Sequence, residues 1–411
     1  MTIDNCFVLL RKNLRGNMSA VEKLWNSNYI KVWSANFMIF FSFMVVTPLL
    51  PLYLSEEFGA DKHTIGVVLS GYTLTALLMR PFSGYMVDSF PRKIVLLTSY
   101  FLFFALFAGY LVAGSLTLFA LVRTLHGGPM GAVTVANSTC AIDVLHPTRR
   151  AEGIGYYGLS NNLATSMAPT IGLVIYELVD SYNAIFVVAL LFSFIGLMLN
   201  SSVHFPEKEI IPNKAPISLD RFFLVKGTWL GVCMVCIAFS YGVISTYIAI
   251  YSKEELGMKA GSGLWFAVLC IGLMVSRLMG IRSLRKGRIV ENASHGFLVS
   301  LVGCMLFATV HNYFGYYGAA LIIGLGNGHV WPAVQNMFVN LGTNRQRGTA
   351  NSTILTSWDV GIGLGVVLGG IIAEYYSYTS AFMAGFLING IGVAVFFLFA
   401  RDHYLRHRVT A

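Results

Sequence analysis

Long apolar segments recur along almost the whole chain and constrain its fold more than any other feature. We locate twelve, each long enough to cross a hydrocarbon core of about 30 Å as a helix. Hydrophobic residues make up 56% of the 411 residues and charged residues only 11%, too few to cover a soluble globule. The sequence therefore predicts an all-α membrane protein of about twelve transmembrane helices. The predicted spans are 33–54, 64–87, 93–113, 116–142, 151–176, 182–201, 228–252, 261–281, 293–310, 314–340, 348–373 and 379–400.

Basic residues are concentrated in every second loop between the spans, and this asymmetry orients the chain in the membrane. They cluster before the first span and after even-numbered spans, as at Arg92 and Lys93, whereas the intervening loops hold only Lys62, Lys253 and Lys259. By the positive-inside rule, both termini are predicted to be cytoplasmic. The net charge of +9 thus indicates membrane topology rather than nucleic-acid binding.

The predicted domain organisation is two bundles of six helices joined by a polar linker. The bundles are expected at 31–202 and 228–401, and the linker at 203–227, where prolines and charges of both signs are concentrated. Cytoplasmic tails are expected at 1–30, without a signal peptide, and at 402–411. Since Met18 begins a second candidate start, residues 1–17 are either a start-site artefact or part of the tail.

An internal repeat relates the two halves. A shift of 197 residues superposes Arg80 on Arg277 and Gly131 on Gly328, and further matches extend along most spans. Six helices per unit make the two repeats parallel in the membrane. Two parallel bundles would enclose a site that opens to alternate sides as the halves rock, so the duplication predicts a transporter.

The loop after the second span reads Gly84-Tyr-Met-Val-Asp88-Ser-Phe-Pro91-Arg92-Lys93. It is similar to the signature loop of the major facilitator superfamily, and the whole chain resembles that superfamily's twelve-span drug and metabolite efflux members. Gly84 would allow close helix approach, and Asp88 could pair with basic residues or cap a neighbouring helix. We predict that Gly84, Asp88, Arg92 and Lys93 latch the halves together on the cytoplasmic side. The alternative is a solvated turn with a basic flank.

The second half carries a degenerate copy of this loop in which Arg285 replaces the aspartate. The latch is therefore expected to be asymmetric, unless the copy serves only topology. Prolines add further gating candidates. Pro48 and Pro51 resemble a proline pair in efflux members and should bend the first helix, and Pro169 belongs to a degraded form of an antiporter motif.

Two charged residues within spans are predicted to couple transport to protons. Asp359 lies deep in the eleventh span, where a carboxylate is costly to ionise and can exchange a proton; the alternative is a structural acid in the bundle core. Under the repeat it corresponds to Asn162. The expected cation near Asp359 is the substrate or Arg123, which lies in a segment resembling the family's arginine and glycine motif; the alternative is that Arg123 snorkels to the interface. Acids near span ends, such as Asp143 and Glu177, are expected to be solvated.

Polar and aromatic side chains on the predicted spans supply candidate cavity residues. In the resembled family, spans 1, 4, 7 and 10 line the central cavity, which implies substrate contacts on spans 4, 7 and 10; spans 5 and 11 add amides and a tryptophan. The alternative for several is an interfacial aromatic or a satisfied polar group. The predicted set is His126, Asn161, Asn162, Tyr241, Tyr247, Asn327, His329, Trp331, Gln335 and Trp358.

Together these patterns predict a proton-coupled secondary transporter of the bacterial inner membrane that exports a small amphipathic organic compound and acts as a monomer. The alternatives are an uptake symporter of the same fold and, further removed, a receptor or scaffold. No nucleotide-binding loop, metal-ligand cluster or catalytic triad is visible, so neither a cofactor nor an enzymatic activity is expected. The Cys233-x-x-Cys236 pair is interpreted as apolar packing.

Overall fold

A computed structural model describes residues 23–60, 62–205, 219–258 and 262–409. In these ranges the chain forms twelve long helices and no β-strand, which confirms the predicted all-α fold. In chain order they are α1 (Ser27–Phe58), α2 (Lys62–Ser89), α3 (Arg92–Val112), α4 (Leu116–Asp143), α5 (Arg150–Val179), α6 (Tyr182–Ser201), α7 (Thr228–Glu254), α8 (Ser262–Arg285), α9 (Ile289–Thr309), α10 (Tyr313–Leu341), α11 (Arg347–Tyr375) and α12 (Tyr378–His407).

Several predictions concern segments that lie partly outside the described residues. These are the predicted N-terminal tail up to residue 22, the start-site question at residues 1–17, linker residues 206–218, Lys259, and residues 410 and 411. The linker residues that are described include two short 3₁₀ turns, Leu219–Arg221 and Val225–Gly227.

Polar residues immediately before the apolar runs fix where several helices begin. The side chains of Asn26, Ser115, Asn312 and Ser377 each accept a hydrogen bond from a backbone N–H in the first turn of the helix that follows. Such N-caps satisfy donors that have no partner within the helix. Ser115 and Asn312 are related by the 197-residue repeat, so the capping signal is duplicated with the helices.

The outer surface of the bundle is apolar. Nine helices of the described chain are each long and apolar enough to cross a membrane by themselves. Large hydrophobic side chains such as Val112, Leu178 and Phe314 are more than 70% exposed. A helical bundle that shows this surface to its solvent is built for lipid, and the chain is a multi-pass membrane protein.

The two halves share one packing pattern. In the first half α2 and α3 pack on α4, and α1 packs on α5 and α6. In the second half α8 and α9 pack on α10, and α7 packs on α11 and α12. The second pattern is the first displaced by six helices, which agrees with the repeat found in the sequence.

Glycines at repeat-related positions permit the close approach between α2 and α4 and between α8 and α10. A Cβ atom at Gly127 would overlap the backbone carbonyl of Tyr72, and one at Gly324 would overlap that of Leu269. Small residues let helices pack backbone to backbone in a membrane. Each half is therefore a tightly packed unit.

The halves meet along two helix pairs, α2 with α11 and α5 with α8. We call the end of the bundle where α1 begins and α12 ends the termini face. In the described residues, the polar contacts that join the halves lie between this face and the middle of the helices. The termini face is thus closed in this structure.

Candidate functional site

Asp88 joins the two halves at the termini face. It lies at the end of α2, and its carboxylate accepts hydrogen bonds from the backbone N–H groups of Gly348 and Thr349, both at 2.8 Å, and from the Thr349 hydroxyl at 2.9 Å. A carboxylate is favourable at a helix N-terminus, because unpaired N–H groups and the helix dipole favour negative charge there. Asp88 therefore caps α11 across the interface, one of the two contacts expected from its sequence.

Gly84 lies one turn before Asp88 on the same face of α2. A Cβ atom there would come within 2.6 Å of the Cβ of Ser352 and 3.0 Å of the Cα of Thr349. The Ser352 hydroxyl donates to the backbone carbonyl of Arg80 at 2.6 Å. Only a glycine allows α2 and α11 to approach this closely, and the approach brings Asp88 within reach of the helix start.

An ion-pair network surrounds this cap. Asp143, at the end of α4, binds Arg92 from its own half and Arg347 from the other half, the latter at 2.6 Å. Arg92 also lies 3.5 Å from Asp88 and donates to the carbonyl of Asn344 at 3.2 Å. The expectation that Asp143 is solvated is wrong, because its side chain is only 11% exposed and lies between two guanidinium groups.

Other predicted gating residues do not join the halves. Lys93 donates to the carbonyl of Val203 within the first half, at 3.0 Å. Pro48 lies in a 3₁₀ turn, Thr47–Leu49, that interrupts α1, and Pro51 follows in the first turn of the next helical segment. Pro169 lies inside α5 without ending it. The prolines shape individual helices, and their part in gating stays a prediction.

The second half repeats the latch with its charges reversed. Under the 197-residue repeat, Asp88 corresponds to Arg285 and Thr349 to Glu152. Arg285 lies 3.9 Å from Glu152, which also pairs with Arg149 at 3.1 Å. The Arg285 side chain is 60% exposed, so this contact is weak compared with the buried cap at Asp88. The contacts at these two equivalent positions are thus asymmetric, and their role as latches stays a prediction.

Asp359 forms an ion pair with Arg80 across the interface between α11 and α2. The two side chains are 3.0 Å apart and 17% and 13% exposed. Sequence reasoning had treated Arg80 only as a marker of the repeat, and had expected Arg123 as the cation. The signal that could have found Arg80 is its place within a span, where an arginine requires a partner.

Arg123 lies instead within the first half. Its guanidinium stacks on the ring of Tyr72, 4.1 Å from the centroid, and donates to the hydroxyl of Tyr110 at 3.1 Å. The residue is 3% exposed, so it does not snorkel to the membrane surface. Tyr72 interacts electrostatically with both Arg123 and Asp359, so the two charged residues share a neighbour. Arg123 is therefore a neighbour of the Asp359 pair rather than its partner.

A cavity of about 340 Å³ lies between the two halves. Its wall is mainly apolar and aromatic, with Phe40 and Met44 from α1 and Leu269 and Leu273 from α8. Six predicted cavity residues belong to the lining: Asn161, Asn162, Tyr241, Asn327, Trp331 and Trp358.

Four predicted cavity residues have other partners and are absent from this lining. His126 is fully buried and hydrogen-bonded to Tyr110, as a packed histidine would be. Tyr247 donates to the carbonyl of Val366 at 2.6 Å. His329 pairs with Asn292, and Gln335 donates to Asn351, each at 2.9 Å.

Arg277 lines the same cavity, and sequence reasoning did not assign it to the site. It is the repeat equivalent of Arg80, but the position equivalent to Asp359 holds the amide of Asn162. Arg277 is 5% exposed and forms no ion pair in the described part of the chain. Among the described residues, the central interface thus holds one arginine in an ion pair, Arg80, and one without, Arg277.

Comparison with known proteins gives a consistent result. The family model for the Major Facilitator Superfamily matches residues 32–294 and 293–410. The staphylopine export protein of Staphylococcus aureus is 23% identical over 374 residues, covering 85% of this chain and 90% of that protein. The quinolone resistance protein NorA of the same species is 21% identical, covering 87% of this chain and 93% of NorA.

Solved structures share the fold at lower identity. The transporter FucP, in an outward conformation, superposes with a TM-score of 0.76 at 15% identity, covering 92% of this chain and 99% of FucP. A bacterial homologue of the iron transporter ferroportin, in an outward-facing state, gives a TM-score of 0.77 at 14% identity, covering 91% of this chain and 99% of that one.

Proposed function

Because the chain belongs to the major facilitator superfamily, a family of transporters rather than enzymes, we propose that it is a proton-coupled secondary transporter that exports a small amphipathic organic compound. The observation that carries this proposal is the Asp359–Arg80 ion pair at the interface between the two halves. It is a titratable contact that must form and break as the halves rock.

The coupling follows from where this pair lies. With Asp359 ionised, its attraction to Arg80 holds α11 against α2 and stabilises the state with a closed termini face. Protonation removes that charge, weakens the contact and favours opening at this face. A proton can shift the equilibrium in this way only because Asp359 interacts differently with its surroundings in the two states.

We place the termini face in the cytoplasm, because the basic residues outside the spans concentrate there. The closed face is then the cytoplasmic one, and the central cavity would receive protons from outside the cell. Proton uptake from outside followed by proton release inside is the order that an exporter needs. Protonation of Asp359 from outside opens the cytoplasmic face, and loss of the proton to the cytoplasm lets the protein close that face again with substrate bound.

The cavity supports a small amphipathic substrate. A volume of about 340 Å³ lies at the lower end of the roughly 300–1,000 Å³ common for ligand pockets. Its aromatic wall favours an apolar body, and its amides favour a polar group. Export is supported by the names of two relatives, a staphylopine export protein and a quinolone resistance protein. Since the cavity lies within one chain, we propose that the monomer is the working unit.

Transport by purified protein in liposomes tests this function. A panel of organic compounds is added outside liposomes that are acidic inside, outside or on neither side. An antiporter accumulates its substrate only where the lumen is acidic, whichever way the protein is inserted. Accumulation only with an acidic exterior would indicate an uptake symporter, and no gradient-driven movement across the panel would favour a receptor or scaffold.

A further inference from the structure

Arg277 carries a buried positive charge that forms no ion pair with the residues the structure describes. It lines the central cavity and is 5% exposed. Its Nε and Nη1 atoms are buried without a hydrogen-bond partner. The ionisable side chain that interacts with it is the thiol of Cys270. A guanidinium held in this way costs free energy unless something outside the chain pairs with it.

The two repeats differ in whether the arginine meets an acid: the Nε and Nη1 atoms of Arg80 also lack a hydrogen bond, but Arg80 has an ion-pair partner. Arg80 and Arg277 are equivalent, and each reaches across the interface towards the opposite half. Arg80 meets the carboxylate of Asp359, whereas Arg277 lies against Gly158, one turn before Asn162, where a Cβ atom would overlap Nη1. The sequence thus holds a carboxylate at one equivalent position and an amide at the other.

Most of the polar atoms that lack a partner in the cavity lining are hydrogen-bond donors. Besides the two nitrogens of Arg277, the amide nitrogen of Asn162 is buried without a partner, and so is the side-chain oxygen of the adjacent Asn161. Three of these four atoms are donors. Donors gathered around a guanidinium match an acceptor with negative charge, and a planar carboxylate matches the fork of an arginine best.

We propose that Arg277 is the subsite for an anionic group of the substrate, a carboxylate, with the Asn162 amide as second donor. This rests on the proposed transport function and specifies its substrate class. The substrate is an amphipathic organic acid, whose apolar body contacts Trp331 and Trp358 and whose carboxylate supplies the charge that Asp359 supplies to Arg80.

Binding without transport tests this subsite. The probes are three carboxylates, 2-naphthoate, indole-3-acetate and octanoate, and their neutral primary amides, titrated into the purified full chain by calorimetry. At least one carboxylate should bind about tenfold or more tightly than its amide, as expected for a hydrogen bond to a charged group. Equal binding of every pair, or no binding by any carboxylate, overturns the proposal.

Two variants and a control locate the effect. Arg277→Gln should abolish the carboxylate preference while melting at no lower temperature, because it removes an uncompensated charge. Asn162→Asp should do the same by supplying Arg277 with the partner that Arg80 already has. Arg282→Gln, the same charge change at an exposed site on α8, should leave the preference intact. A preference that persists in Arg277→Gln places the anion elsewhere.

This outcome is separable from that of the proposed function. Calorimetry requires neither a pH gradient nor movement across a membrane, so the carboxylate preference can stand if proton coupling fails. Conversely, proton-driven export of compounds without a carboxylate, unchanged in Arg277→Gln, would support the function and refute the subsite.

Discussion

Replacing Asp88 by asparagine should release the closed termini face. The carboxylate accepts three hydrogen bonds from Gly348 and Thr349 at 2.8–2.9 Å and lies 3.5 Å from Arg92. An amide has one acceptor oxygen, and its NH₂ group would face a backbone donor of α11. Losing one charge-assisted bond and leaving that donor unpaired costs about 2–3 kcal/mol. This shifts the equilibrium towards the open termini face by a factor of about 30–150.

The assay is the distance between spin labels, with the six native cysteines replaced. One pair, at the exposed positions His146 and Thr343, reports on the termini face; another, at Leu178 and Tyr375, reports on the opposite face. Both pairs are related by the repeat. In Asp88→Asn the first distance should lengthen and the second shorten.

The matched control is Asp180→Asn, an exposed aspartate beyond the end of α5 with a left-handed backbone that asparagine tolerates. It should leave both distributions unchanged. If the distance distributions of Asp88→Asn superpose on those of the parent, the cap does not stabilise the closed state. The alternative interpretation of the Asp88 loop, a turn without a role in closing the termini face, would then hold.

Three further predictions concern the approach of α2 to α11, the Arg285–Glu152 contact and the orientation in the membrane. Gly84→Val should abolish transport, because its side chain would collide with Ser352, whereas Gly363→Ala, where no atom lies within 4 Å, should transport normally; uptake into liposomes measures both. Arg285→Ala should change the transport rate less than about fivefold, since a contact at 3.9 Å to an arginine that is 60% exposed contributes about 0–1 kcal/mol; a larger loss would show that the charge-reversed contact matters. A reporter enzyme fused after Ala411 should be active if it is one that works only in the cytoplasm. Activity of a reporter that works only in the periplasm would show that the orientation is the opposite one.

The helices were predictable because lipid imposes one dominant constraint on sequence. Each span must be a long apolar helix, so hydropathy and the repeat together predict the number of helices and their order. Helix ends were less accurate: α1 begins at Ser27, six residues before its predicted start, because the capping Asn26 rather than apolar composition sets the boundary.

The Asp88 segment was recognisable as a candidate contact between the halves because Gly84, Asp88 and Arg92 lie close together in sequence. The partners across the interface were not, because they depend on which helices of the two halves meet. Asp143 looks ordinary in sequence because it lies near a span end, and the place of Arg80 within a span indicates that it needs a partner without showing which one. The structure shows that Asp143, on α4, binds Arg347 and that the packing of α2 on α11 brings Arg80 to Asp359.

The predicted cavity residues fall into two groups. Asn162 and Trp358 belong to the cavity lining, while His126 and His329 find partners inside their own half. Residue type predicted that these side chains need polar neighbours. It did not predict whether protein or substrate supplies them. That Arg277 lacks the acidic partner that Arg80 has among the described residues becomes clear only when the contacts of the two repeat-related arginines are compared.

The most direct test of coupling is transport by Asp359→Asn in liposomes. The variant mimics the protonated acid and cannot titrate, so it should still exchange labelled substrate between equal concentrations on both sides. It should not accumulate substrate when the lumen is acidic. The parent should do both, and Glu374→Gln, near the far end of α11, should resemble the parent. Uphill accumulation by Asp359→Asn with an unchanged pH profile would contradict the account and show that the proton is carried elsewhere.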